Sequence, residues 1–313
     1  MSAACGQSPH VLVLGAGAIG GFLGARLIEA GARVTFLVRP ARAERLRRDG
    51  LRILSEKQPF AAPVRVLTAV DDDRHGLILL ACKAYDLDSA IAALRPAMGA
   101  QTRLLPLLNG LAHLDRLDAE FGAERILGGL CQLSVTLQDD GVIRHFGPHD
   151  RLIWGSRTPA DPALPRWRAL LAGMRSEVIE SRDIHAAMWA KFAFIAALAG
   201  ITCLLRGSIG AIAAAGGGAL AQRLHRECAD VAERSGHAID PAQCEESMRV
   251  LVEPASALKA SMLRDIERGA RTEGVAILGD MLMRARGFGM DTPLLEAAAR
   301  HVAVYEATRP GGR

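Results

Sequence analysis

The segment Gly15-Ala16-Gly17-Ala18-Ile19-Gly20 follows directly on the continuous apolar run at 11–14 and opens a helix-like stretch at 19–30. This placement constrains the fold more than any other feature of the chain. A strand buried on both faces, a glycine turn and a helix make the first unit of an open parallel α/β sheet. Gly15 permits the tight turn, Gly17 lets the backbone approach a pyrophosphate, and Gly20 allows close packing of helix on strand. Ala16, Ala18 and Ile19 complete the turn, and the helix start offers N–H groups and partial positive charge to phosphates. Among 32 glycines the motif alone would say little. Its place between strand and helix gives it weight.

The first half of the chain keeps this rhythm. Apolar runs at 34–38, 77–82 and 104–108 predict further buried strands, and 41–49 and 88–97 predict helices between them. Strands are expected at 133–137, 142–146 and 152–154, with a turn at Asp139-Asp140-Gly141. A helix at 167–174 and a strand at 178–180 close this part. Strand signals then stop. Asp183 can cap a helix reaching about residue 205, and more helices are expected at 219–235, 241–252, 255–267, 272–286 and 293–306, with a tight turn within 210–221. The fold class is therefore α/β: an N-terminal Rossmann-type doubly wound sheet over residues 1–182 and a C-terminal all-helical domain over 183–313. No flexible linker lies between them, so tight packing with a cleft is expected.

Bulk properties narrow the function classes. Half of the residues are hydrophobic but only 4% are aromatic, so the core must be built from Ala, Leu, Val and Ile. The net charge of +4 comes without a long basic run, which argues against nucleic acid as a partner. The six cysteines are scattered with no CxxC spacing, so neither a disulfide framework nor a metal site is expected. Residues 1–10 lack the basic and apolar segments of a signal peptide. The longest apolar run, 192–205, falls short of the roughly 20 residues a membrane span needs. It reads as a core helix, and the expected location is cytoplasmic.

Second-strand chemistry addresses the choice of dinucleotide. NAD-binding chains usually carry an acid about 20 residues beyond the glycine motif, bonded to the ribose hydroxyls. No acid occurs from Ala30 to Ala43; Arg39 stands at the strand end, with Arg42 close by. An arginine there can clasp a 2′-phosphate through charge-assisted bonds, which predicts NADPH/NADP+ as cofactor. Only four of the 38 basic residues are lysine, and Asn109 is the single asparagine. Lys83 and Asn109 each follow a predicted parallel strand, at the carboxyl ends where ligands bind in such sheets.

These features, with Trp189-Ala190-Lys191-Phe192, Ser261-Met262-Leu263-Arg264-Asp265-Ile266 and Arg271-Thr272-Glu273, make the chain similar to the ketopantoate reductase (2-dehydropantoate 2-reductase) family over nearly its whole length. The resemblance implies NADPH-dependent reduction of a 2-keto acid. It implies Lys191 as proton donor, Glu273 in contact with cofactor or substrate, Asn109 and Lys83 near the nicotinamide end, and Ser261 near the substrate carboxylate. The residue types suit the chemistry: a lysine ammonium can stabilise charge growing on a keto oxygen and then protonate it, whereas arginine does not release its proton near neutrality.

One departure stands out. Where the family carries substrate-binding asparagines four and eight residues beyond the lysine, this chain has Ile195 and Ala199, on the helical face of Lys191. A third family asparagine aligns with Ile209. If ketopantoate is the substrate, the role is pantothenate biosynthesis. The alternatives are a paralogue reducing a less polar carbonyl compound, or an NADP(H)-binding sensor without chemistry. A small 2-keto acid is the expected partner, a homodimer is left open, and no membrane is expected.

Overall fold

The computed structural model describes residues 9–70, 75–158 and 161–309; Cys5 and the other residues before Pro9 lie outside them. By Cα proximity the chain forms two units. One comprises Met1–Leu108 and Leu114–Ile184, and the other Asn109–His113 and His185–Arg313.

The first unit contains β1 (His10–Leu14), α1 (Ala18–Glu29), β2 (Arg33–Leu37), α2 (Pro40–Asp49), β3 (Leu51–Leu54), β4 (Phe60–Ala62), β5 (Arg65–Leu67), β6 (Leu77–Leu80), α3 (Leu87–Leu94), β7 (Arg103–Pro106), α4 (Ala112–Phe121), β8 (Gly128–Leu137), β9 (Ile143–Gly155), α5 (Leu164–Ala172) and β10 (Glu177–Glu180). Five strands pair in parallel in the order β5-β2-β1-β6-β7. The continuous apolar runs become the inner strands: Val11, Leu12, Val13 and all of β6 are fully buried or nearly so, as both-face burial requires. Since β2 and β6 flank β1, their carboxyl ends open on either side of the β1–α1 turn.

A second sheet is built on β9. One edge of β9 runs antiparallel to β8; the other pairs in parallel with β3 and with β10, and β4 adds antiparallel to β3. Helix α1 serves both sheets through its glycines. A Cβ on Gly24 would meet the Phe36 ring of β2 at 2.4 Å, and one on Gly21 would meet Ile143 of β9 at 2.3 Å. The two strands expected at 142–146 and 152–154 are one continuous strand. Between them Gly147 stands at φ +84°, and the pairing with β8 shifts register between Leu133 and Val135. Strands β3, β4 and β5 were not expected; they are short, and β3 alternates buried and exposed residues.

The second unit consists of α6 (Ile184–Leu205), whose first residue falls in the first unit, α7 (Ile209–Ala214), α8 (Gly218–Arg234), α9 (Pro241–Val250), α10 (Ser261–Glu267), a π-helical turn at Val275–Gly279, α11 (Asp280–Gly287) and α12 (Pro293–Thr308). By length and composition α6 could cross a membrane, but 67% of its most apolar window is buried inside the protein. Lys191 is its one formally charged side chain. Two expectations fail. The stretch 210–221 holds α7, capped by Ser208 Oγ, which accepts from the Ala211 N–H. Residues 255–260 are not helical, because the Ser256 and Leu258 carbonyls accept from the N–H groups of Gly210 and Ile209 at 2.8 and 2.9 Å. A Cβ at position 210 would sit 2.6 Å from the Pro254 carbonyl oxygen, so only glycine lets the strap lie this close.

One ion pair in the first unit is almost closed to water. Arg103 on β7 donates from Nε and Nη2 to the two carboxylate oxygens of Asp161 at 2.7 and 2.8 Å, with side-chain exposures of 9% and 2%. Burial pushes the Asp161 carboxyl up, but the Arg103 hydrogen bonds, the Ala163 N–H and the guanidinium charge together hold it below the ordinary aspartate range. Its stabilising contribution is therefore present above the unfolded-state pKa and is lost as pH falls through the folded one. Asp161→Ala should cost about 3–5 kcal/mol in denaturant unfolding by stranding the guanidinium, and Arg103→Met with Asp161→Leu should recover most of that loss. A single variant as stable as the parent would show the pair to be structurally idle.

Candidate functional site

In the first unit the glycine turn has the geometry a dinucleotide pyrophosphate requires. Gly15 adopts φ +95°, donates its N–H to the Leu37 carbonyl at 3.0 Å, and would place a Cβ 3.0 Å from the Ala81 carbonyl oxygen. Gly17 stands at the N-cap of α1, and a Cβ there would meet no atom within 4 Å. The space a side chain would fill is thus open at the helix start, where N–H groups are unpaired. Gly20 is the reverse: its Cβ would fall 1.9 Å from the Gly15 carbonyl oxygen. Ala16 is buried, Ala18 begins α1, and Ile19 packs partly buried against the core. The residues present therefore fit a dinucleotide.

The two arginines near this turn differ. Arg42 donates from Nε to the Ala16 carbonyl and from Nη1 to the Gly141 carbonyl, both at 3.0 Å, tying the glycine turn to the β8–β9 hairpin. Burial, with Arg45 nearby, lowers its pKa from the ordinary arginine value. Arg39, at the N-cap of α2, is 75% exposed and donates from Nη2 to Asp86 Oδ1 at 2.7 Å. Asp86 lies three residues beyond Lys83, in the 3₁₀ turn Ala84–Asp86 after β6. Sequence reasoning took the lysine from this stretch and missed the aspartate, because its partner is 47 positions away.

In the second unit, other expected residues converge. Gly110, at φ +79°, packs so closely that a Cβ would lie 2.7 Å from the Ala276 carbonyl oxygen and 3.7 Å from the Phe192 ring. Asn109, half-buried, is thereby brought to the segment that carries Lys191 and to the one that begins at Glu273. Trp189 tilts against Phe192, stacks on His237 and carries the Arg284 guanidinium 5.2 Å from its centroid; Arg284 is in turn held by Asp280. These contacts fix Trp189 and Phe192 on α6; Lys191, between them in the sequence, is half-buried. Glu273 is 7% exposed and precedes the π-helical turn, an uncommon element frequent at functional sites. It was expected inside a helix; it stands just before one. Ile195 is half-buried and Ala199 only 3% exposed, so Ile195 alone of the two presents appreciable surface. Ser261 is exposed at the start of α10.

Comparison with known proteins gives this geometry a relationship. The ketopantoate reductase PanE/ApbA family matches residues 11–159, and its C-terminal counterpart matches 183–306. A Bacillus subtilis (strain 168) protein described as an uncharacterized oxidoreductase, YkpB, is 37% identical over 95% of this chain and 99% of its own. The 2-dehydropantoate 2-reductase of Archaeoglobus fulgidus is 28% identical over 90% of this chain and 92% of its own. Among solved structures, D-mandelate dehydrogenase with NADH and anilino(oxo)acetate shares the fold at a TM-score of 0.86, with 21% identity, covering 95% of this chain and 97% of that one.

The last two glycines of the motif should separate binding from folding. Gly17→Ala puts a methyl into open space at an N-cap, so it should cost at most about 1 kcal/mol of stability yet weaken nicotinamide dinucleotide binding at least about tenfold by titration calorimetry. Gly20→Ala drives a Cβ into backbone and should lower the thermal midpoint by several degrees. Equal effects of both on stability would contradict this division.

Proposed function

Since the chain belongs to the ketopantoate reductase PanE/ApbA family, we propose that it reduces a 2-keto acid with NADPH and favours a substrate whose flank is less polar than that of ketopantoate. The observation that carries this reading is the face of α6: a half-buried Lys191 followed one turn later by Ile195. The proton-donor position is kept, while an apolar side chain stands where the resembling family presents an amide. D-mandelate dehydrogenase, which shares the fold, was solved with NADH and anilino(oxo)acetate, an oxo acid with an aromatic flank.

The division of labour follows from the residues. Gly15–Gly20 and the start of α1 hold the pyrophosphate, and Arg39 takes the 2′-phosphate. When bound, the reduced nicotinamide supplies a hydride to the keto carbon. Lys191 stabilises the negative charge that builds on the keto oxygen and gives it the Nζ proton. Asn109 and Glu273 orient the reacting groups. A sensor that only binds dinucleotide would have no use for Lys191.

Purified protein should consume NADPH with one or more members of a 2-keto acid panel, and binding without turnover on any of them would favour the sensor. Lys191→Ala should lower kcat by about 10²–10⁴ while leaving NADPH affinity within about twofold, since the lysine serves the substrate; a variant that keeps most of its kcat would remove Lys191 from the chemistry.

Specificity is tested at Ile195. A ketopantoate hydroxyl buried against an apolar wall without a partner costs about 1–3 kcal/mol, and each ~1.4 kcal/mol is tenfold in kcat/KM. Ile195→Asn should thus raise kcat/KM for ketopantoate relative to 2-ketoisovalerate by about tenfold. Ala199 is the poorer site for the same change, because an amide at 3% exposure would overpack the core. Strong preference of the unmutated enzyme for ketopantoate over every apolar analogue would defeat this reading.

A further inference from the structure

Strands β2 and β6 lie on either side of β1, with Leu14 in register with both Leu37 and Leu80. Arg39 follows β2 and Asp86 follows β6. Their 2.7 Å ion pair therefore spans the mouth of the β1–α1 turn, over the strand whose end carries the glycine motif. Asp86 also occupies the N-cap of α3, where an aspartate ordinarily accepts from the first N–H groups of its own helix. It makes no such cap bond. Its backbone is fixed locally, with the Asp86 N–H donating to the Lys83 carbonyl at 2.9 Å and Ser89 Oγ donating to the Asp86 carbonyl at 2.8 Å. The carboxylate is turned away from the helix and toward Arg39.

We propose that Asp86, through its ion pair with Arg39 across the glycine turn, is a cofactor-selectivity residue that narrows the preference for NADPH over NADH. The inference rests on the dinucleotide reading above. An ion pair with one partner 75% exposed is weakly held, so a 2′-phosphate, with greater charge and more acceptor oxygens, can draw the Arg39 guanidinium from it. The Asp86 carboxylate is then left beside a dianion and repels it. With NADH the same carboxylate meets a ribose hydroxyl and can accept its proton in a hydrogen bond, the role an acid at the end of the second strand plays in NAD-binding sheets. The acid that is missing from residues 30–43 is thus supplied in space from the end of β6.

Titration calorimetry of the full chain with adenosine 2′,5′-bisphosphate and with 5′-AMP tests this without turnover. Asp86→Asn keeps the shape and an acceptor oxygen for the ribose hydroxyl and removes the charge; it should tighten the bisphosphate about tenfold and change 5′-AMP by less than about twofold. Asp86→Ser should act in the same direction, and Asp86→Glu should keep the parental ratio. In turnover, the ratio of kcat/KM for NADPH to that for NADH should rise about tenfold in the Asn variant. A bisphosphate affinity unchanged in the Asn and Ser variants overturns the proposal, and a weakened one shows instead that Asp86 orients Arg39 for the phosphate. A parent that binds neither nucleotide overturns the dinucleotide reading along with it, whereas one that binds both, with a ratio unmoved in the variants, overturns the selectivity role alone.

Discussion

The contact on which the rest of the first unit depends is that of Gly20 with Gly15. A Cβ at Gly20 would stand 1.9 Å from the Gly15 carbonyl oxygen, so α1 can begin directly over the end of β1 only because that atom is missing. This closeness places the first turn of α1 where its N–H groups face the open space at Gly17, and it lays Gly21 and Gly24 against the two sheets. The turn is then secured from outside by Arg42, whose hydrogen bonds reach the Ala16 and Gly141 carbonyls. Two arginines three residues apart thus do different things. Arg42 is a half-buried brace of the turn, and Arg39 is an exposed cation held by a single carboxylate. Their spacing in the sequence gives no hint of the difference, because it depends on which side of α2 each one leaves.

How legible each element was follows from how local its cause is. The strands β1, β2, β6 and β7 could be read directly, since a strand buried on both faces needs an unbroken apolar run. Strand β3 could not, because burial of Leu51 and Ile53 alone leaves only two apolar contacts to show in the sequence. Gly147-Pro148 carries turn residues, yet β9 continues past them, since it pairs with β8 on both sides of the break, at 143–145 and again at 150–155. The non-helical strap at 255–260 illustrates the same limit. Its Ala-Ser-Ala-Leu composition favours a helix, and the N–H groups of Ile209 and Gly210, almost 50 residues earlier, hold it extended. In the site, the glycine turn was readable because its geometry lies within six residues, and the Asp86 contact was not, because it joins the ends of two different strands.

Lys191 poses an energetic question of its own. Helix α6 is apolar around nearly its whole circumference, and a lysine in it loses hydration that a leucine would not miss. Snorkelling along the helix eases that cost at a half-buried position but does not explain why a charge stands there at all. The composition sharpens the point: this chain uses arginine for almost every other cation, and arginine would tolerate partial burial better because its guanidinium is more weakly hydrated. What lysine has and arginine lacks is a proton it can give up. That property fits the proton-donor role proposed for Lys191.

The same reasoning separates Asn109 from its neighbour. The pair Asn109-Gly110 resembles an ordinary turn, in which asparagine is favoured because it tolerates a left-handed backbone. Gly110 does meet that description, at φ +79° with the Ala276 carbonyl oxygen 2.7 Å from where a Cβ would be. Asn109 does not: among the described residues the one non-glycine at positive φ is Arg206. The backbone at 109 could therefore carry many other side chains. Glycine at 110 answers a steric demand of the fold, and it sets the close approach that brings the preceding residue to the segments of Phe192 and Ala276. The amide at 109 answers no such backbone demand, so its identity, in a chain with no other asparagine, fits the orienting role proposed for its side chain.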